Sequence, residues 1–306
     1  MKNHSLVRNK KIKYHLKIIS FLVILTLIFT VNNLVLCKQV NADLIYVDGS
    51  AIVGYSTIQE GIDAAISGDT IYVCNGTYFE NIVIDKPISL IGEDSSNTII
   101  DGRGAGNTIK VNADYVKIKG FTIQHSGLIY PSSGINLSSD YNVVENNIIM
   151  NNFYGMTMYH SSYNTIQNNT IQNDDHCGIY MSASTNNSIL NNIIQNHNYN
   201  GVGVYDSSDA NLIMNNEFSS NNFCGVNIRI SADNNIIGNN FTGNNIGIHI
   251  PDSSNTVNSN NFSGNNVDID LESILSNTEF LLIIGIVIFF IILGLTFYIA
   301  RVKKIK

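Results

Sequence analysis

The chain has 306 residues, with 24 Asp and Glu against 17 Lys and Arg, a formal net charge of −7. Seven of the basic residues precede Asp43 and four follow Ala300, which leaves six in the central part against all 24 acids, a net of −18. A surface of that sign excludes nucleic acid as a partner, and it repels polyuronates unless cations intervene.

Residues 1–42 read as a secretory signal. Lys2, Arg8, Lys10, Lys11, Lys13 and Lys17 carry its charge, the apolar stretch Ile18 to Val31 follows, and Val40-Asn41-Ala42 suits cleavage. The apolar stretch runs on toward Leu36, so an uncleaved anchor is the alternative. Cys37 lacks the small preceding residue of a lipidation motif. Residues 43–110 are expected to form an N-terminal cap and the first coils. Within them, Ser56 to Ile66 reads as a capped amphipathic helix with Ile58, Ile62 and Ile66 on one face.

Residues 111–270 repeat one short pattern: Asn, any residue, an aliphatic, any residue, then Asn-Asn. It starts at Asn142, Asn164, Asn187, Asn211, Asn235 and more loosely Asn255, at steps of 22, 23, 24, 24 and 20 residues. A second element keeps the same beat, a Gly followed by alternating apolars at Gly134, Gly155, Gly178, Gly201, Gly225 and Gly247. A fixed period of this length predicts a solenoid.

Alternation places Met156, Ile179, Val202, Val226 and Ile248 inward, together with Met158, Met181, Val204, Ile228 and Ile250. Thr157, Tyr180, Gly203, Asn227 and His249 fall between them as an outward column. Val144, Ile166, Ile189, Ile213 and Ile237 form the inward column of the first strand. Runs this short are strands, and several per period predict a parallel β-helix. The Asn pairs, Asn146/Asn147 to Asn239/Asn240, are expected to turn the corners and to stack up the axis.

After a linker at 271–279, residues 280–300 form an uncharged apolar run long enough to cross a bilayer, and the basic tail 301–306 follows. The expected topology is a single-pass membrane protein with the solenoid outside the cell. Cys177 and Cys224 share a column two rungs apart, about 10 Å, which is beyond disulfide reach.

The succession Ser56 to Ile66, Gly68-Asp-Thr-Ile-Tyr-Val, Gly76-Thr-Tyr-Phe-Glu-Asn-Ile-Val-Ile and Lys86-Pro-Ile-Ser-Leu-Ile-Gly92 resembles the opening of right-handed parallel β-helix proteins of the pectate-lyase-like superfamily. The Asn-Asn repeats resemble its NosD-like branch, and the resemblance covers about residues 44–270. It implies an all-β right-handed parallel β-helix with an N-terminal capping helix, to which the apolar run adds a C-terminal transmembrane helix. The branch takes its name from a periplasmic copper-associated protein. Met156-Thr-Met158-Tyr-His160 carries suitable donors, but both Met residues stand in inward columns, so no metal or other cofactor is expected.

Asp174-Asp175, then His197, then Arg229 resemble in order the catalytic acid pair, histidine and arginine of polygalacturonases. His197 lacks flanking glycines, Arg229 lacks the following lysine, and no Asn-Thr-Asp lies one coil earlier. Tyr159, Tyr180 and Tyr205 are candidate sugar-stacking residues on the outward columns. The leading expectation is an anchored extracellular scaffold or adhesin-like protein contacting surface polysaccharides or surface proteins, rather than an enzyme. A glycoside hydrolase of inverting type and a copper-associated protein are the alternatives.

Overall fold

The computed structural model describes residues 42–50, 54–251 and 254–271. Residues 1–41 of the signal segment 1–42, residues 272–279 of the linker, the apolar run 280–300 and the basic tail 301–306 lie outside the described residues. Among the described residues no helix is long and apolar enough to cross a membrane.

The chain coils into a parallel β-helix of about ten turns with three walls. The first wall has ten strands, running in chain order from Leu44–Val47 to Thr256–Asn258. The second and third have nine each, from Gly76–Tyr78 to Asn261–Ser263 and from Ile82–Ile84 to Val267–Asp270. In every wall each strand pairs in parallel with its counterpart one turn away, so each side chain stacks on its own column.

Inside the coil lies one apolar core. Val144, Ile166, Ile189 and Ile213 line the first wall, Ile149, Ile171, Ile194, Phe218 and Phe241 the second, and Met156, Ile179, Val202 and Val226 the third. Phe218 and Phe241 stack at 4.9 Å with planes 7° apart. The first-wall column continues through Ile236 and not Ile237, because Ile213 pairs with Ile236. The repeat that seemed to start at Asn235 starts at Asn234, and its corner uses Gly238-Asn239 where the others use Asn-Asn. Gly238 takes the left-handed φ of +67° that Asn146, Asn168, Asn191 and Asn215 take at 54–56°.

All three corners carry a buried ladder of amides. At the first-to-second corner the main-chain N–H and the Nδ2 of Asn169 both donate to Asn192 Oδ1, at 2.9 and 3.0 Å, and Asn192 repeats this toward Asn216. At the third-to-first corner the main-chain bond runs from Asn142 through Asn164, Asn187, Asn211 and Asn234 to Asn255, and from Asn164 onward the Nδ2 donates to the next Oδ1 as well. Most interior amides also donate to a carbonyl of the preceding turn, as Asn192 does to Ile166 O, while Asn234 donates to Ala232 O of its own turn. The bonds satisfy backbone groups that a tight corner would otherwise bury unpaired.

The helix Ile58–Ala64 begins at Thr57 with a reciprocal capping box to Glu60. Ile58 and Ile62 are buried, but Ile66 falls beyond the helix and is half exposed. A Cβ on Gly61 would stand 2.9 Å from Val47 Cγ2, so the glycine lets the helix approach the first strand.

The outward column of the third wall is not exposed as alternation predicts. Thr157, Asn227 and His249 are 0, 1 and 3% exposed. Aromatic rings and polar partners cover the column from outside. The Tyr205 ring would lie 2.5 Å from a Cβ on Gly203, and Thr157 Oγ1 accepts from Asn136 Nδ2 at 2.9 Å and meets Ser133 Oγ at 3.0 Å. The third wall therefore carries a second, mainly polar layer under an aromatic one.

Candidate functional site

Two aromatic columns run side by side over the third wall. Phe153, His176, Tyr199 and Phe223 stand two residues before successive repeat glycines, and so climb the corner leading into the wall. Their ring centroids step by 5.8, 4.7 and 4.9 Å. On the wall itself the rings of Tyr154, Tyr180 and Tyr205, which come from three different register positions, lean into one file with steps of 5.4 and 5.2 Å, and Tyr154 bridges to His176 at 4.8 Å. Tyr159 joins Tyr180 at 5.7 Å and donates its hydroxyl to Tyr130 at 3.2 Å.

The predicted binding residues Tyr159, Tyr180 and Tyr205 thus come together, although not on one column. Tyr159 and Tyr205 share a register line through Ser182 that ends at Arg229, while Tyr180 pairs with Thr157 and Gly203. The gap at Gly203 admits the Tyr205 ring, and Asn200 Nδ2 fixes its hydroxyl at 2.8 Å. Sequence reasoning missed Phe153, Tyr154, His176, Tyr199 and Phe223. The signal was present as a fixed aromatic place ahead of each glycine, outside the strand pattern.

Between the columns lies a groove of about 390 Å³, lined by His176, Tyr180, Tyr199, Tyr205, Asp206, Arg229 and Ile230. Burial raises the hydroxyl pKa of Tyr180, Tyr199 and Tyr205 and lowers that of the His176 imidazole, so these groups are neutral at pH 7. Arg229, at the end of the strand Cys224–Arg229, supplies the positive charge of the groove. Among the described residues no carboxylate lies within ion-pair distance of it.

The other three candidate catalytic residues do not join Arg229. Asp174 and His197 are members of the third amide ladder, at the second-to-third corner, between Asn152 and Asn221. Both side chains have 0% exposure. Asn152 N donates to Asp174 Oδ1 at 2.8 Å, and Asp174 N donates to His197 Nδ1 at 3.3 Å. His197 Nε2 meets Ile171 O at 3.2 Å. A carbonyl only accepts and a main-chain N–H only donates, so His197 is the neutral Nε2–H tautomer and fills an Asn place. Its pKa is lowered by burial to about 3, while burial holds the Asp174 carboxyl well above its usual range. Asp175 is exposed on the outer side of that corner, whereas Arg229 ends the wall at the opposite corner. Neither Asp174 nor His197 can touch a polysaccharide on this surface.

Most soft metal donors are equally enclosed, the half-buried Cys74, Met150 and Met214 excepted. Met156, Met158 and Met181 point into the dry core, and the Cys177 and Cys224 thiols are buried, with pKa values raised by burial to about 12. Among the described residues no three His, Cys, Asp or Glu side chains are grouped to hold a metal ion. His160 is exposed at a corner, away from the inward thioethers beside it in sequence.

Residues 62–280 match the family model described as periplasmic copper-binding protein (NosD). No curated protein matches the sequence. Solved structures share the fold at low identity. Pectate lyase Pel9A superposes with a TM-score of 0.58 at 15% identity, over 76% of this chain and 78% of that one. The A-module of the Azotobacter vinelandii mannuronan C-5 epimerase AlgE6 gives 0.53 at 15%, over 71% and 75%. The Dettilon tailspike protein gives 0.54 at 14%, over 71% of this chain and 54% of the tailspike. At these identities the likeness establishes the fold alone.

Proposed function

The chain belongs to the NosD family, and from that premise we propose that it is an exported β-helix scaffold that holds a surface saccharide in the aromatic groove of its third wall. The observation that carries this is the groove itself. Tyr180, Tyr199 and Tyr205 with His176 offer neutral ring faces, and Arg229 and Asp206 supply directional polar groups at the rim. Sugar rings have apolar faces and hydroxyl edges, which suit such a lining. The names of the fold relatives, a pectate lyase, a mannuronan epimerase and a phage tailspike, lean the same way.

Membrane anchoring outside the cell is part of the proposal. It is supported by the basic and apolar N-terminal segment, by the uncharged run at 280–300 with its basic tail, and by the periplasmic description of the family. Capping of the coil by the helix Ile58–Ala64 belongs to it as well, supported by the burial of Ile58 and Ile62.

Copper does not fit the described donors, because Met156, Met158, Met181, Cys177 and Cys224 are buried and the half-buried Cys74, Met150 and Met214 stand on separate strands or turns, with no group of three His, Cys, Asp or Glu among the described residues. No step is assigned to it. Hydrolysis is disfavoured because Asp174 and His197 are built into a corner ladder. A glycan array probed with the full chain in detergent micelles tests the proposal. Binding should appear for some surface saccharides and fall at least tenfold in the Tyr180→Ala, Tyr199→Ala double variant, without turnover. Turnover abolished by Asp175→Asn would replace the scaffold by an enzyme. Binding unchanged in the double variant would remove the groove.

A further inference from the structure

Arg229 is the one Lys or Arg between Asp140 and Asp270, in a central part that carries a net of −18. The fold places this single cation in the aromatic groove, beside Tyr199, Tyr205 and Asp206. It is half-buried, and among the described residues no carboxylate is within ion-pair distance. Asp206 lines the same groove, but its Oδ2 accepts from Ser182 Oγ at 3.1 Å. A guanidinium held in an aromatic lining with no carboxylate within ion-pair distance among the described residues is an incomplete recognition element, since its planar fork matches a carboxylate or an acidic ester.

We infer that the groove selects a saccharide bearing one isolated acidic group, which pairs with Arg229 while its sugar ring lies on Tyr180 and Tyr199. This deepens the saccharide reading above and rests on it. The limit of one acid follows from charge: a polymer acidic at every unit would meet one cation and many carboxylates along the coil. The Asp206 carboxyl oxygens take hydroxyl donors of the same ligand. Ile230, 75% exposed and at a left-handed φ of 54° that β-branched residues rarely adopt, closes the groove beyond Arg229.

The test uses calorimetry on the full chain in detergent micelles with three tetrasaccharides. One carries a single glucuronate unit, one is its carboxyl-reduced neutral analogue, and one is an oligogalacturonate. The mono-acidic ligand should bind about tenfold more tightly than the neutral one, with a preference that weakens as salt rises. Arg229→Gln should erase the preference and keep the weak neutral binding, and Arg229→Lys should retain part of it. Arg229 is half-buried at the end of its strand, and equal thermal unfolding checks that either variant folds. Equal binding of the acidic and neutral ligands, a preference surviving in Arg229→Gln, or tighter binding of the oligogalacturonate overturns the inference and leaves the saccharide reading standing. Failure of all three ligands to bind overturns both.

Discussion

At the scale of single residues, the corner ladders show what a buried amide does that a carboxylate or imidazole does differently. His197 keeps the acceptor and the carbonyl-directed donor of the Asn it replaces, through Nδ1 and Nε2–H, and gives up only the second donation to the next rung. Asp174 does not. Its Oδ2 occupies the place from which Asn192 or Asn221 donates, lies 3.5 Å from His197 Nδ1, and has no hydrogen-bond partner. The folded coil therefore favours the protonated acid, as the raised pKa of Asp174 reflects. A carboxyl with a raised folded pKa contributes its stability below the unfolded value of about 3.9 and loses it as pH rises through the folded value. Asp174→Asn should then stabilise the protein by about 1–3 kcal/mol at pH 7 and by little below pH 4, as read from urea midpoints. A loss at pH 7 would mean that a charged Asp174 is paired there. His197 has the opposite sign. Its folded pKa is lowered to about 3, so its contribution is full above the unfolded value of about 6.5 and is lost as pH falls. His197→Asn should remove that part of the acid sensitivity.

At the scale of the strand and its wall, alternation gives the inner face correctly except at Ile237, where Ile236 is the inward residue, and the outer face only in part. Ile189, enclosed between Ile166 and Ile213, should not accept a charge, and Ile189→Asp is expected to cost about 3–5 kcal/mol or prevent folding. Alternation alone expects Thr157→Asp to be harmless. The structure reverses that expectation, because Thr157 is buried among Ser133, Asn136 and the covering rings, and a carboxylate there has no cation to meet. A destabilisation of roughly 2–4 kcal/mol is expected for Thr157→Asp, measured by thermal or urea unfolding. A surface-like effect within about 0.5 kcal/mol would show that the second layer does not hold.

At the scale of the whole molecule, a solenoid is stabilised turn by turn, so each coil depends on its two neighbours and little on distant ones. A groove that crosses several coils is therefore kept in shape by corner ladders and stacked columns. The proposed topology has a direct test. Protease added to intact cells should remove the coil region and leave a fragment from the apolar run 280–300 protected. A coil region that resists protease on intact cells and yields only after lysis would place it inside.

The sequence by itself determined the fold, because every instruction for it is local and is repeated on each turn. Aliphatics at alternate positions fill the core, Asn or Gly turns each left-handed corner, and a second amide bonds to the next rung. The phase at Asn234 was misread only because Gly238 does the work of an Asn. The candidate site was legible in Tyr159, Tyr180, Tyr205 and Arg229. Only the tertiary structure decided that Asp174 and His197 belong to the corner and not to a site, that Thr157, Asn227 and His249 are covered, and that two aromatic columns meet beside Arg229. Those outcomes depend on which ring leans across which gap, as Tyr205 does over Gly203, and on neighbours one turn away. Periodicity assigns a residue to a face, whereas the size and tilt of its neighbours decide whether that face meets water.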